Sequence, residues 1–224
     1  MNIWNIENSF YLNSNTSRLN KALCQFELFK KTVNLHGDIV ECGVFKGSSL
    51  IRLLTFRDLL IKKKQKKVLG FDSFGKFPKQ IIKEDKKFAK SHDKTSGYGI
   101  NEKKLEIALR RKKFKNFKLI KGDVHKTIPE YLKKNKNFKI SFLHLDMDVF
   151  APTNFVLNSL YKKIVKNGII LIDDYKHVKG ATKATELFLK KNKKLKIEKL
   201  KFNKRLSFII KNNHRCKRLF IYFL

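Results

Sequence analysis

A chain of 224 residues that is 42% hydrophobic is long enough to close one α/β domain around a full core without disulfide staples. Its formal net charge of +33 raises a polyanion as partner, yet only eight of the 52 basic residues are Arg, the side chain suited to bidentate phosphate and base contacts. Lys, Asn, Ile and Phe share A/T-rich codons, so genome bias accounts for the charge, and runs such as Lys62 to Lys67 read as solvated faces. Cys24, Cys42 and Cys216 lack the paired spacing of a disulfide framework or a zinc site, which fits a reducing cytoplasm. The start MNIWNIENSF has no basic region, and no run of about 18 apolar residues occurs, so neither secretion nor a membrane span is expected.

In chain order, Leu19, Leu23, Phe26 and Phe29 recur at helical spacing, so residues 1–36 read as an N-terminal helical segment that His36-Gly37 ends. From 37 to 211 strand-length apolar blocks alternate with Lys-bearing helical stretches: Ile39 to Cys42, Val68 to Phe71, Phe117 to Ile120, Ile140 to Leu145 and Ile169 to Ile172. Strand then helix, repeated, predicts a mainly parallel sheet with helices on both faces. Leu195 to Leu200 and Leu206 to Ile210, after a helix around Ala181 to Lys190, predict an antiparallel hairpin at the sheet edge. Residues 79–99 are polar and poorly periodic and read as an inserted loop, a candidate lid. Residues 212–224 read as a tail whose apolar end, Leu219 to Leu224, suits an edge strand or a contact between copies of a homo-oligomer.

Each of the five parallel strands ends in acid: Glu41, Asp72, Asp123, Asp146 and the pair Asp173-Asp174. Ligands of open α/β sheets bind outside the carboxyl ends of the strands, so these groups are expected to converge on one crevice. Gly43 and Gly47 in the turn after the first strand let the backbone approach a ligand, and the helix start beyond them offers N–H groups to an anion. The spacing is neither G-x-G-x-x-G nor a P-loop. With Asp72 placed to accept two ribose hydroxyls, the pattern suggests a nucleoside-bearing cofactor. Asp146-Met-Asp148 and Asp173-Asp174 can together give three oxygen ligands to a hard cation such as Mg²⁺, which would bind an acceptor hydroxyl and lower its pKa. The competing reading is that Asp173-Asp174 caps the next helix.

Glu27 to Lys31 (ELFKK), Gly37 to Ser49 (GDIVECGVFKGSS), Gly70 to Phe74 (GFDSF), Lys121 to Asp123 (KGD), Leu145 to Asp148 (LDMD) and Ile172 to Tyr175 (IDDY) occur in one order. On these motifs, from about Phe26 to Lys176, the chain resembles the macrocin O-methyltransferase (TylF/MycF-like) family and, more widely, catechol O-methyltransferase. The resemblance implies a Rossmann-like class I methyltransferase fold with two antiparallel edge strands. It implies that Glu41, Gly43, Gly47 and Ser49 hold the methionine part of S-adenosylmethionine, Asp72 the ribose and Asp123 the adenine edge. It assigns Mg²⁺ to Asp146, Asp173 and Asp174. Methyl transfer to oxygen as an in-line displacement rests on positioning and activation of the hydroxyl, and Asp146 is the best candidate for proton acceptor. The expected acceptor is a hydroxyl on a small sugar-like molecule.

Two rivals remain. An RNA-directed methyltransferase is favoured by the charge and opposed by the scarcity of Arg and of any RNA-binding module. A non-catalytic binding protein of the same fold is opposed by intact carboxylates at every strand end. His144-Leu-Asp146 with His177 or His214 spells a facial triad for iron, but His144 within an apolar strand reads better as structural. His125 reads as a helix start rather than a pocket residue.

Overall fold

The computed structural model describes residues 2–61, 66–78, 83–203 and 205–212. The calls on residues 62–65, on 79–82 of the expected loop and on 213–224 of the tail, with His214 and Cys216, lie outside the described residues. Among the described residues six strands form one sheet: β1 (Asp38–Cys42), β2 (Val68–Asp72), β3 (Phe117–Lys121), β4 (Ile140–Leu145), β5 (Ile164–Ile172) and β6 (Ser207–Ile210). Their order is β3-β2-β1-β4-β5-β6, parallel except for β6, which pairs antiparallel with β5. The expected partner of β6, Leu195 to Leu200, meets it antiparallel through a single bridge, Glu198 with Phe208.

The helices follow from side-chain alternation in the strands, which sends successive residues to opposite faces. Ile39, Val68, Phe142 and Ile169 face one core, with α2 (Thr16–Lys30), α3 (Ser48–Leu60) and α5 (Glu102–Arg111), which supply Leu28, Phe29, Leu53, Leu105 and Leu109. Val40, Leu69, Leu143 and Ile170 face the other, with α6 (Val124–Lys134), α7 (Phe150–Leu160) and α8 (Lys179–Lys191), which supply Ile128, Leu157 and Phe188. Burial on both faces is what makes these strands read as continuous apolar blocks.

Ahead of α2, helix α1 (Ile3–Asn13) is capped by the Asn2 side chain and buries none of its residues. α2 does form where apolar spacing predicts a helix, but its buried stripe is Cys24, Gln25, Leu28 and Phe29, while Leu19 and Leu23 stay exposed. The stripe is rotated because Gln25 turns inward to a buried histidine and Phe26 packs edge-on to Phe56, ring centroids 5.2 Å apart.

Segment 79–99, expected as an inserted loop, instead carries α4 (Lys83–Ser96). Few apolar residues mark it because its anchors are of other kinds. Buried Asp85 accepts the Phe150 N–H at the start of α7 (2.8 Å), Ala89 is buried, and the His92 ring meets Phe77 and Phe45 with centroids 5.3 and 5.1 Å apart. No described helix is long and apolar enough to cross a membrane.

Candidate functional site

The carboxyl ends of the strands open into a crevice of about 1000 Å³, at the place where the strand order reverses between β1 and β4. Gly43, Asp72, Asp123 and Asp146 line it; Glu41, Gly47 and Ser49 do not. Gly43 has φ +90° and gives its N–H to the Phe71 carbonyl (2.9 Å). A Cβ there would collide with the Asp146 carbonyl oxygen, so only glycine lets the β1 turn lie against the end of β4. Gly47, φ +86°, starts α3 with its Cα against Leu105, and Ser49 accepts a hydrogen bond from Arg52 (3.1 Å).

Asp72 organises the turn above β1. One oxygen accepts the N–H groups of Val44 (2.7 Å) and Phe45 (3.0 Å), and the other accepts that of Phe74 (2.5 Å). Phe45 and Phe74 both sit at φ 52°, a left-handed conformation that costs a non-glycine residue roughly 1–3 kcal/mol, and the shared carboxylate holds them there. Asp123 caps α6 through the His125 N–H (3.0 Å) and lies 2.7 Å from His125 Nδ1. Partial burial works the other way, but the bonds from His125 hold the Asp123 carboxyl below its ordinary value. His125 does begin a helix, and it also lines the crevice, its ring 4.6 Å from that of Phe155.

Glu41 is fully buried beneath the crevice, its Oε1 2.8 Å from Nδ1 of His144, which is also fully buried. Gln25 reaches His144 Nε2 at 3.5 Å, and Glu41 Oε2 has no hydrogen-bond partner among the described residues. Burial pushes the Glu41 carboxyl up, against the pull of His144. Alternation carries the signal for this placement: Glu41 shares a face with Ile39, toward α2 and α3.

At the ends of β4 and β5 four carboxylates meet. Ligand-capable atoms of Asp146, Asp148 and Asp174 lie within 4.8 Å of one another, whereas Asp173 stands outside that group. Asp148 joins it through a backbone turned to φ 61°. Lys21 from α2 bridges Asp146 Oδ2 (2.9 Å) and Asp173 Oδ2 (2.6 Å), and Arg205 Nη2 reaches Asp174 Oδ1 (3.1 Å). Lys21 and Arg205 line the crevice, and the buried Asp173 and Asp174 do not. Asp173 Oδ1 and Asp174 Oδ2 accept no hydrogen bond from the described residues. Helix α8 starts at Lys179 with no side-chain cap, so Asp173 and Asp174 do not cap it.

Charge crowding sets the proton affinities. Burial, then repulsion from Asp146, pushes Asp173 up to about 7 and Asp148 up to about 7; burial, then Asp146 and Asp148, pushes Asp174 up to about 8. Burial opposes it, but the Lys21 ammonium holds Asp146 well below the usual carboxylate range. For Lys21 burial is again the opposing effect, and Asp146 and Asp173 hold its ammonium above its ordinary value. Lys21 and Arg205 escape sequence reasoning. One sits in a helix outside the strand repeat and the other in the hairpin link, where Asn203 accepts the N–H groups of Arg205 and Leu206 (2.8 and 3.1 Å).

A parallel sheet of this order, edged by an antiparallel strand and opening at its carboxyl ends, is the class I methyltransferase architecture. The chain belongs to the Macrocin-O-methyltransferase (TylF) family, whose model matches residues 17–202. It is 27% identical over 152 residues to demethyldecarbamoylnovobiocin O-methyltransferase of Streptomyces niveus, covering 63% of this chain. The chain spans about half of that relative's length, 54%. Among solved structures it is similar to apo CalS11, described as a TDP-rhamnose 3'-O-methyltransferase of calicheamicin biosynthesis. The TM-score is 0.67 at 19% identity, over 94% of this chain and 86% of the other. It is also similar to the O-methyltransferase NovP, TM-score 0.68 at 20% identity, over 87% and 78%. At such identities the two structures speak for the fold.

Proposed function

We propose that this protein is an S-adenosylmethionine- and Mg²⁺-dependent O-methyltransferase. Its acceptor is a hydroxyl of a sugar or sugar-containing small molecule, such as a surface glycan precursor or a glycosylated metabolite. The observation that carries the reading is the crevice lined by Asp72, Asp123 and Asp146 from three strand ends, in a chain of the macrocin O-methyltransferase family. The names of the novobiocin relative and of CalS11 support a sugar-bearing acceptor.

The residues fit both groups the reading requires. Gly43 brings the backbone of the β1 turn to the wall of the crevice, which Asp72 and Asp123 line with it. In this reading Asp72 takes the ribose hydroxyls, Asp123 the adenine edge and Gly43 the methionine end, with Glu41, Gly47 and Ser49 backing that end from behind the crevice wall. The partnerless Glu41 Oε2 supports its share of that role. For the cation, buried Asp174 Oδ2 without a partner, beside Asp146 and Asp148, is the supporting observation. Asp146, Asp174 and Asp173 would hold it, with Asp148 next to them. S-adenosylmethionine would supply the electrophilic methyl group, and Mg²⁺ a Lewis acid for the acceptor oxygen.

The remaining work falls to the chain. Asp146, which faces the crevice, would accept the hydroxyl proton once Lys21 no longer holds its carboxyl low. Phe77, Phe88 and His92 of the α4 side wall the crevice against water, which makes α4 the candidate lid. A homo-oligomer belongs to this reading, supported by Ile3, Trp4 and Leu12 of α1, which are 67%, 71% and 76% exposed. So does a cytoplasmic location, supported by Cys24 and Cys42, both free and buried.

The test pairs calorimetry with S-adenosylmethionine and mass spectrometry for methyl addition to nucleotide-linked sugars, with and without EDTA. Asp72→Ala is expected to weaken cofactor binding by roughly 1.5–3 kcal/mol, and to lower stability because three N–H groups lose their acceptor. Unchanged cofactor affinity in a folded Asp72→Ala protein overturns the ribose assignment. Absence of any cofactor binding by the wild type overturns the enzyme reading.

A further inference from the structure

Asp146 and Asp173 each offer an Oδ2 atom to the same Lys21 ammonium, at 2.9 and 2.6 Å. These are two of the carboxylates that a divalent cation would need. Lys21 is no accidental surface contact. It lies one turn ahead of Cys24 and Gln25, both fully buried, so its backbone is fixed against the sheet while its side chain remains 20% exposed. Arg205 differs: its side chain is 59% exposed and reaches the cluster from the hairpin link.

We propose that Lys21 is a tethered competitor of the divalent cation, holding Asp146 and Asp173 in the cation-free protein and releasing both when a cation binds. The proposal rests on the metal-dependent reading above. A cation beside Asp146 Oδ2 would stand next to the ammonium, two positive charges on one oxygen in a site where solvent screens little. Lysine suits the exchange, because its flexible four-carbon stem lets the ammonium swing into the crevice while the helix stays in place. The affinity for the cation is then set by α2, a helix outside the strand repeat that carries every carboxylate.

The experiment measures Mn²⁺ binding by electron paramagnetic resonance, and Mg²⁺ by displacement of Mn²⁺, with no cofactor or acceptor present. Lys21→Met should bind Mn²⁺ on the order of 10- to 100-fold more tightly than the wild type. Lys21→Arg, which keeps the charge, should bind no more tightly than the wild type. Binding by Lys21→Met alone also supports the proposal, the ammonium then filling the site outright. Equal or weaker binding by a Lys21→Met protein that melts cooperatively overturns it and leaves the metal reading standing. Lys21→Gln replaces Lys21→Met if the latter does not fold. Absence of Mn²⁺ binding in every variant overturns this proposal and metal dependence together, while cofactor calorimetry on the same samples decides the rest of the enzyme reading.

Discussion

Asp146, Asp148, Asp173 and Asp174 bring four carboxylates against two cations, Lys21 and Arg205, and the imbalance has a measurable consequence. In the cation-free protein Asp148, Asp173 and Asp174 are pushed up to about 7, 7 and 8, from an unfolded value of about 3.9. A carboxyl raised in this way stabilises the fold fully below its unfolded pKa, and that contribution is lost as pH rises through the folded value. Asp146, held low by Lys21, behaves oppositely and loses its contribution only as pH falls below about 4. Between about pH 5 and 8.5 the EDTA-treated protein should therefore lose Tm as pH rises, with Mg²⁺ restoring it at the alkaline end. Calorimetric melts across that range check this; a flat profile would mean that the carboxylates are already neutralised by Lys21 and Arg205. The sequence makes these aspartates visible because each closes an apolar strand. It hides their counter-ions, which arrive from segments distant in the chain.

Elements behave in the same way. β1, β2, β4 and β5 are legible because burial on both faces turns each into an apolar run, β3 at the sheet edge is legible from half-buried Phe117, Leu119 and Ile120, and α8 follows from helical periodicity. Glu41 is also legible in principle, since its parity with Ile39 points it under the crevice toward α2 rather than into it. α4 is not, because its contacts are a carboxylate on a neighbouring helix start and a cluster of rings, neither of which leaves an apolar period. That contact is open to test. Asp85→Ala removes the acceptor of the Phe150 N–H and should cost about 1 kcal/mol, typical of a lost helix cap. With α4 forming one wall of the crevice, the same variant should raise the KM for the acceptor more than that for the cofactor. Urea unfolding and steady-state kinetics read the two effects; a stability loss with both KM values unchanged would remove α4 from acceptor binding.

At the scale of the molecule the crevice divides at the strand reversal. The β1–β3 side carries Gly43, Asp72 and Asp123, and the β4–β5 side carries the crowded aspartates. The two sides touch where Gly43 lies against the Asp146 carbonyl, and Asp146 in turn gives its N–H to the Cys42 carbonyl (2.9 Å). A shift of one peptide unit therefore cannot occur without the other. On the proposed reading, the ligands of the two sides should then be thermodynamically reciprocal, each changing the affinity of the other by one common factor. Calorimetric titration of S-adenosylmethionine with and without Mg²⁺, and of Mg²⁺ with and without S-adenosylmethionine, closes that cycle. A factor of one in both directions would mean that the contact is passive. A factor above one would make the β1 turn a relay, so that an enzyme starved of either ligand holds the other loosely and returns it to solution unspent.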